Sequence, residues 1–250
     1  MKQISYLFAV VLLLTLSAFP VNAQQENETP FDLSLDLMSR YVWRGTDFGG
    51  SPSIQPGFSY SVSGLTIGTW GAYTVNNPGA QELDLYLSYA FLDDMFSVTI
   101  TDYFFPNELA VNDHYFDYRD EHTGHVFEAS LAFNGTEKLP LGVLVATNVY
   151  GADARRLNDD GIVEGNQYST YAELSYSFSY IDVFAGMNLT SPDTDLGETG
   201  FYGDKAGFVN IGCTVYKDIR VSETFSMPLF VSLITNPLTE KIFLVAGLSF

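Results

Sequence analysis

From residue 31 to the end of the chain, apolar and polar residues alternate with a period of two. The pattern is clear in the segments 31–38 (FDLSLDLM) and 82–91 (ELDLYLSYAF). A period of two places successive side chains on opposite faces of a β-strand, so each segment predicts a strand with one apolar and one polar face. No segment after residue 23 shows a convincing helical period of 3.6. The alternation therefore predicts an all-β fold.

The lengths and the spacing of these segments indicate a membrane barrel. Each is about as long as the ~9–11 residues of a membrane-spanning strand, or slightly longer. Short turns alternate with long loops along the chain, and this arrangement with an even strand number is typical of outer-membrane barrels. We therefore predict a closed, antiparallel, up-and-down transmembrane β-barrel of about 12 strands, with both termini in the periplasm. The strands are expected near 31–44, 52–63, 65–76, 82–91, 96–105, 124–134, 140–150, 167–178, 180–190, 205–217, 225–235 and 241–250.

The last segment ends on an aromatic residue that continues an apolar face. Ile242, Leu244, Ala246 and Leu248 share this face, and Phe250 follows them. We interpret the segment as the closing strand of the barrel, paired with the first strand. An open sheet edge in lipid would leave backbone groups unpaired, each costing several kcal/mol. The same strand is the expected contact for the barrel-assembly machinery of the cell.

A soluble β-protein is the alternative fold, because jelly rolls and sandwiches also alternate apolar and polar residues. In those folds the apolar face points inward. The aromatic residues favour the membrane, since many of them fall near predicted strand ends, where girdles of aromatic side chains mark the two membrane interfaces. The girdle residues that this pattern predicts are Tyr41, Trp43, Tyr73, Phe91, Tyr150 and Phe250.

The first 23 residues are predicted to form a secretory signal peptide. Lys2 supplies the positive start, an apolar run covers residues 6–16, and a V-x-A cleavage motif ends at Ala23. The apolar run is shorter than the ~20 residues that a spanning helix needs. We therefore expect the protein in the bacterial outer membrane, in contact with lipid and lipopolysaccharide. The predicted divisions are the signal peptide (1–23), a short N-terminal segment (24–30) and the barrel (31–250).

Charge and cysteine content exclude two classes of protein. The net charge is −19, from 11 basic and 30 acidic residues, whereas a nucleic-acid binder needs a basic surface to neutralise phosphates. The single cysteine cannot form an internal disulfide, so the fold is not a disulfide-stapled scaffold. We therefore expect no nucleic acid among the partners.

The charged residues indicate which face of each strand points into the lumen. A basic side chain on the lipid face near the membrane centre costs ~2–4 kcal/mol, so charged positions are expected to face inward. Charged rings set ion selectivity in pores, which suggests a constriction with a preference for cations. The alternative, in which these groups only pair with one another across the lumen, is equally open. The predicted lumen residues are Arg40, Arg44, Asp32, Asp36, Glu82, Asp84, Tyr86, Glu128, Glu173 and Asp182.

Several motifs in the first half of the chain resemble a known family in their order and spacing. They are SRYVWRG at 39–45, PSIQPGFSY at 52–60, GLTIGTW at 64–70, ELDLYLSY at 82–89 and YFFP at 103–106. Together they resemble the TorF-type porins, bacterial outer-membrane barrels of largely unestablished function, over about residues 33–106. Arg40 departs from the family, which more often has an acidic or small residue there. The resemblance implies a porin, and it implies neither a substrate nor catalytic residues.

The sequence lacks the signatures of an enzyme or a metal centre. His114, His122 and His125 lie in or beside a long loop, are expected to be solvated, and form no His-x-Ser motif. Their spacing relative to nearby aspartates permits a metal ion but is not diagnostic of one. We therefore expect no enzymatic activity, no cofactor and no metal.

Two functions are consistent with these observations. The first is a porin-like channel for the passive diffusion of small polar solutes, weakly cation-selective through its acidic lumen. The second is a non-conducting barrel whose acidic surface loops serve envelope structure or surface binding. Aromatic lumen residues such as Tyr86 favour the second function, because they would narrow or fill the interior.

Overall fold

The computed structural model describes residues 29–75, 81–106, 114–120 and 122–250. The predicted signal peptide lies outside these residues. Within them, no helix is long and apolar enough to cross a membrane, and a short 3-10 helix covers Thr194–Leu196. The strands are β1 (Phe31–Met38), β2 (Val42–Trp43), β3 (Thr46–Asp47), β4 (Ser53–Val62), β5 (Leu65–Thr74), β6 (Gln81–Phe91), β7 (Phe96–Phe104), β8 (His125–Phe133), β9 (Leu141–Gly151), β10 (Arg155–Leu157), β11 (Val163–Asn166), β12 (Thr170–Ser177), β13 (Ile181–Asn188), β14 (Gly207–Arg220), β15 (Ser226–Asn236) and β16 (Lys241–Ser249).

Twelve of these strands form one closed antiparallel barrel, which confirms the predicted fold class. Around the wall the order is β1, β16, β15, β14, β13, β12, β9, β8, β7, β6, β5 and β4. The ring closes between β1 and β16, where Leu37 lies opposite Leu248. The remaining short strands pair as two small hairpins, β2 with β3 and β10 with β11.

Tight turns join the strands at the end of the barrel where the described N-terminal residues and Phe250 lie, called here the terminus end. At Ser63-Gly64 both residues have positive φ, 51° and 80°, the conformation of a type I′ turn whose twist matches the adjoining strands. The longest connections lie at the opposite end, called here the loop end, which also carries the short turn 237–240 between β15 and β16. At the terminus end the connection between β14 and β15 covers only residues 221–225, because β14 continues to Arg220.

The apolar faces of the strands point outward, away from the barrel interior. Leu85, Leu87, Leu131, Leu174 and Leu233 are all exposed on this outer surface. A soluble sandwich would bury these side chains, whereas the hydrocarbon core of a membrane solvates them. The outward apolar band therefore identifies the barrel as one that spans a membrane.

The first strand is shorter than the sequence predicts. The alternation suggested one strand over 31–44, but β1 ends at Met38, and the chain then enters the barrel interior as the β2–β3 hairpin before returning to the wall as β4. Met38 lies directly opposite Ser53 across the β1–β4 pair, so the residues between them form an insertion between two neighbouring wall strands. This insertion, residues 39–52, is called the plug below.

The two faces of β6 allow a test of the membrane assignment. Leu87 points outward and is 48% exposed, so Leu87→Arg is expected to lower the free energy of unfolding in lipid by ~2–4 kcal/mol. Ser88 has the opposite parity and bonds the Thr99 hydroxyl inside the barrel, at 2.8 Å. Ser88→Arg is therefore the matched control, with a smaller loss expected. Denaturant titration in lipid vesicles measures both, and equal losses would contradict the assignment.

Candidate functional site

The plug is built around a two-residue turn. Val42 pairs with Asp47 and Trp43 with Thr46, so Arg44 and Gly45 occupy the turn with φ of 47° and 74°. Positive φ at both positions is the type I′ geometry. A glycine adopts it readily, but an arginine does so only where its surroundings fix the conformation.

The tip of the plug contacts the inner face of β14 and β15. A Cβ atom on Gly45 would lie 1.8 Å from the carbonyl oxygen of Val209 on β14, so only glycine fits at this contact. Asn236 on β15 donates a side-chain hydrogen bond to the carbonyl oxygen of Gly45, at 3.2 Å. The tip of the plug is therefore held inside the lumen against β14 and β15.

Arg44 fixes the plug to β8 through a bidentate ion pair. Its Nη2 donates to Oε1 of Glu128 at 2.9 Å, and its Nη1 donates to Oε2 at 2.5 Å. The two side chains are only 9% and 3% exposed. Tyr103 and Tyr202 also donate to Glu128, at 3.1 and 3.4 Å. Several donors thus satisfy this buried carboxylate, and a bidentate guanidinium is its counter-ion.

Aromatic rings surround the Arg44 guanidinium. Its Cζ atom lies 4.4 Å from the ring centre of Trp43, 4.5 Å from that of Tyr171 and 5.7 Å from that of Tyr202. A cation over an aromatic face is attracted by the ring quadrupole, and more strongly where water is excluded. The rings and the carboxylate together hold Arg44 in its strained turn conformation.

Tyr202 reaches this site from the loop between β13 and β14. Glu198 anchors that loop. Its carboxylate accepts backbone hydrogen bonds from Asp193 at 2.7 Å and from Leu157 at 2.8 Å, and it forms an ion pair with Arg156 at 2.8 Å. These contacts stabilise the charged carboxylate and therefore lower the pKa of Glu198, and the backbone hydrogen bonds contribute most to this effect. The loop is therefore linked to the β10–β11 hairpin while it delivers Tyr202 to the plug.

Glu82 and Asp84 form a second buried acidic group, on the inner face of β6. They are 3% and 6% exposed, and their carboxyl groups are hydrogen-bonded to each other. Tyr41 of the plug also hydrogen-bonds Glu82. Among the other described residues, none donates a hydrogen bond to Oε2 of Glu82 or to Oδ1 of Asp84.

The other predicted lumen residues do not join these two groups. Arg40 is 39% exposed at the base of the plug and pairs with Asp47 at 2.8 Å. Asp32 shares the inward parity of Met38 but is exposed at the terminus end. Tyr86 also lies inside, with its ring over Gly68 on β5.

The three remaining carboxylates lie apart from one another on the interior wall. Asp36 accepts a hydrogen bond from the Ser249 hydroxyl, at 2.5 Å. Glu173 accepts one from the Asn210 amide at 2.9 Å, and Asp182 bonds the Tyr216 hydroxyl. The structure thus brings Arg44 to Glu128 and Glu82 to Asp84, and leaves the other predicted residues separate.

Two of the predicted girdle residues lie inside the barrel, so this prediction is wrong for Tyr41 and Trp43. Tyr41 is buried against Trp70, with ring centres 5.5 Å apart, and Trp43 packs on Tyr103 at 5.5 Å. The reason is that the chain leaves the wall after Met38, which ends the outward parity. On the outer surface Tyr73, Tyr150 and Phe250 are exposed, and Phe91 lies between Tyr89 and Phe96.

His125 is fully buried, so the expectation that it is solvated is wrong. Its Nδ1 lies 2.7 Å from Oδ1 of Asp102, and its Nε2 lies 2.7 Å from the carbonyl oxygen of Tyr115. Asp102 has the outward parity of β7, and the ring of Tyr118 stacks on His125 at 4.4 Å. Loop residues therefore cover a polar pair on the outside of the barrel wall. His114 and His122 are exposed.

Two aromatic contacts of the site were missing from the sequence-based prediction. Tyr103 has inward parity on β7, and this signal could have identified it. Tyr202 lies in a loop without periodicity, so no sequence pattern points to it. Within the described ranges, no group of three or more His, Cys, Asp or Glu side chains is placed to hold a metal ion.

A scan against protein-family models matches the first half of the chain to a known family. The family described as "Bacterial protein of unknown function (Gcw_chp)" matches residues 24–154. This range contains the plug, Glu82, Asp84 and Glu128. A search of the curated proteins finds no match.

Solved structures that align with the chain include outer-membrane porins. "KdgM porin" aligns with a TM-score of 0.45 at 9% identity, over 87% of this chain and 98% of that chain. "KdgM porin in complex with disordered oligogalacturonate" gives 0.43 at 10%, over 87% and 98%. "Salmonella typhi OmpF complex with Daunomycin" gives 0.35 at 10%, over 88% and 97%. The shared sequence is small in each pair.

The Arg44–Glu128 pair is expected to contribute far more to the free energy of unfolding than the Arg40–Asp47 pair. Arg44→Gln leaves Glu128 buried without its counter-ion and is expected to lower the free energy of unfolding by about 3–5 kcal/mol. Arg40→Gln, at a partly exposed pair, is the control and is expected to cost at most about 1 kcal/mol. Denaturant titration compares them, and adding Glu128→Gln to Arg44→Gln should restore part of the loss. Equal costs for the two arginine variants would contradict the burial argument.

The lowered pKa of Glu198 predicts a pH-dependent attachment of its loop. A carboxylate with a depressed pKa stabilises the fold fully above its ordinary range, about 4.3, and this contribution is lost as pH falls through the lowered pKa. Hydrogen-exchange protection of residues 189–206 is therefore expected to be complete at neutral pH and to fall in acid. Glu198→Gln should weaken protection at neutral pH and remove most of the pH dependence. Protection that stays constant into acid would refute the prediction.

Proposed function

The chain belongs to the Gcw_chp family of bacterial proteins, and we propose that it is an outer-membrane, porin-like channel for small polar solutes, with the plug as its constriction. The observation that carries the proposal is the plug itself, which enters from the loop end and is fixed by the Arg44–Glu128 pair. A constriction loop folded into a barrel controls which solutes can pass. The TorF-type resemblance points to the same class of protein.

The interior on the terminus side of the plug supports a water-filled path. Hydroxyl pairs line this wall, including Ser61 with Thr66 and Thr214 with Ser232, each at 2.8 Å. A cavity of about 340 Å³ opens at this end beside Tyr216. Small polar side chains and open volume suit a hydrated lumen rather than a packed core.

The charges of the interior favour cations. Arg44 is neutralised by Glu128 and Arg40 by Asp47, so the plug adds little net positive charge to the lumen. Asp36 and Glu173 have polar partners but no basic partner among the described residues. A weak preference for cations is therefore the expected selectivity.

The attachment of the plug suits a movable element. Both ends of the insertion join neighbouring strands, β1 and β4, at the loop end of the barrel. A hydrogen bond from Asn236 on β15 and the ion pair with Glu128 on β8 hold its tip, and the chain imposes no second covalent tether there. Release of Arg44 from Glu128 would let the plug swing toward the loop end without a change in the wall.

A second candidate is a non-conducting barrel whose loops act in envelope structure or surface binding. The observation in its favour is that the plug and Tyr202 together fill the interior near the loop end. The hydrogen bonds that Glu198 accepts from Leu157 and Asp193 also hold the loop between β13 and β14 in place, so the loop end presents an ordered surface. In either role, the outward apolar band meets outer-membrane lipid and lipopolysaccharide, and β16 is the strand offered to the assembly machinery.

A plug replacement distinguishes the two candidates. Because Met38 lies opposite Ser53, residues 39–52 can be replaced by the two-residue turn Asn-Gly, which suits a type I′ hairpin. In planar bilayers the native protein is expected to show small cation-preferring conductances. The replacement is expected to raise the single-channel conductance several-fold, because it removes the constriction.

The controls separate folding from conduction. Ile162→Ala, at an exposed position between β10 and β11, serves as a loop-end variant that keeps the plug, and circular dichroism reports the barrel in every sample. A native protein that stays silent beside a conducting replacement would favour the non-conducting candidate. Two folded but silent proteins would overturn the channel proposal.

A further inference from the structure

Residues 114–120, called here the outer segment, lie against the outer face of the barrel wall. Phe104 and His125 are paired on the outward faces of β7 and β8, yet they are only 5% and 0% exposed. Ile100, four residues from Phe104 on the same face, is 47% exposed. The outer segment contributes to this cover, because the ring of Tyr115 lies 5.2 Å from that of Phe104 and 5.1 Å from that of His125.

Two hydrogen bonds from the wall hold the backbone of the outer segment. Nε2 of His125 donates to the carbonyl oxygen of Tyr115 at 2.7 Å, because a carbonyl oxygen can only accept. The hydroxyl of Tyr150 on β9 donates to the carbonyl oxygen of Tyr118 at 2.5 Å. Side chains of two wall strands therefore place the outer segment on the outside of the barrel.

The acidic and basic side chains of the outer segment are paired. Arg119 forms an ion pair with Asp117 at 2.5 Å, and Asp120 pairs with Arg155 of β10 at 3.2 Å. The four charges cancel one another, so they do not oppose the approach of an apolar surface. Paired charges of this kind can remain at the headgroup level of a membrane while neighbouring apolar side chains enter the acyl boundary.

The outer segment exposes an aromatic ring. Phe116 is 87% exposed, which makes it the most exposed large apolar side chain among the described residues, and Tyr118 is 40% exposed. The ring of Phe116 contacts the protein through Tyr115, edge to face at 5.1 Å. In water most of this apolar surface stays hydrated, whereas at a membrane interface it would leave the water.

The outer segment adjoins the outward apolar band. Asp102, which bonds His125, lies two residues from Ile100 on the outward face of β7. Phe127 and Leu131 continue the face of His125 on β8, and Leu131 is 51% exposed. The outer segment is thus located where the lipid-facing surface ends at the loop end. Girdles of aromatic side chains occupy this level in membrane barrels.

We propose that the outer segment is a membrane anchor, in which Phe116 enters the acyl chains of the leaflet at the loop end and the ion pairs stay at the headgroups. Lipid is favoured over a protein partner because the segment continues the lipid-facing band and its charges are already paired. The anchor also separates Asp102 and His125 from hydrocarbon, where such groups are costly. The proposal rests on the membrane-spanning barrel and does not depend on whether the barrel conducts.

Fluorescence quenching in vesicles tests the anchor on the whole protein. Phe116→Trp places a tryptophan at the exposed position, and the protein is reconstituted in phosphatidylcholine whose acyl chains carry bromine. The new tryptophan is expected to emit at shorter wavelength than in water and to lose most of its fluorescence, because bromine quenches at short range. Unbrominated phosphatidylcholine gives the reference intensity.

Two further positions calibrate the quenching. Ile100→Trp, on the lipid-facing side of β7, is the positive control and is expected to be quenched. Ile162→Trp, 61% exposed between β10 and β11, is the control for an apolar loop-end position outside the wall and should not be quenched. Trp43 and Trp70 are the 2 tryptophans of the chain and lie inside the barrel, so the native protein supplies the background.

A histidine variant tests how the wall places the anchor. His125→Ala in the Phe116→Trp protein removes the donor to Tyr115, so quenching is expected to fall and the emission to shift toward that in water. His122→Ala removes an exposed histidine beside the outer segment and, as the matched control, should leave both unchanged. Full quenching in a folded His125→Ala protein would contradict the assigned attachment.

The anchor is overturned if Phe116→Trp is not quenched where Ile100→Trp is, which is the result expected of a ring reserved for a protein partner. Equal quenching of Ile162→Trp would also overturn it, because the contact would not be specific to the outer segment. If Phe116→Trp does not fold, Tyr118→Trp replaces it with the same criteria. A conducting barrel with an unquenched Phe116→Trp rejects the anchor alone, and a silent barrel with a quenched one rejects the channel alone.

Discussion

Closure of the strand ring is the constraint on which the rest of the structure depends. In lipid, each backbone donor and acceptor needs a partner within the protein, so the first and last wall strands must pair. They do so along Asp36–Met38 and Gly247–Ser249, and Phe250 and Leu35 exchange two further backbone hydrogen bonds of 3.1 Å. Once the ring is closed, strand parity decides which side chains meet lipid and which enclose the lumen. The apolar surface and the polar interior both follow from this one condition.

A closed ring of twelve strands encloses more space than its inward side chains fill, and the plug occupies part of that space. An inserted segment in a low-dielectric interior must satisfy its own polar groups. Arg44 meets this demand with Glu128, and the aromatic rings around it compensate for lost hydration. The positive φ of Arg44 is then a consequence of tertiary contacts, since its local sequence alone would favour another conformation.

The wall could be predicted from the sequence because every wall strand obeys one short-range rule, the alternation of apolar and polar residues. The plug could not, because residues 39–44 continue the parity of β1 although the chain has already left the wall. Two signals pointed to a break: the predicted strand of 31–44 exceeded the usual spanning length, and Gly45 follows Arg44 as in a two-residue turn. His125 was misassigned for a related reason, since its partners Asp102 and Tyr115 are joined to it only by the folded sheet and loop.

The two acidic groups of the interior both take partners from the plug. Glu128 accepts hydrogen bonds from Arg44, Tyr103 and Tyr202, so it holds the plug in place and has little capacity for a further ligand. Glu82 has Tyr41 of the plug and Asp84 of the wall as its partners. A displaced plug would therefore remove a partner from each acidic group, Arg44 from Glu128 and Tyr41 from Glu82, and the burial of the two groups favours the inserted position.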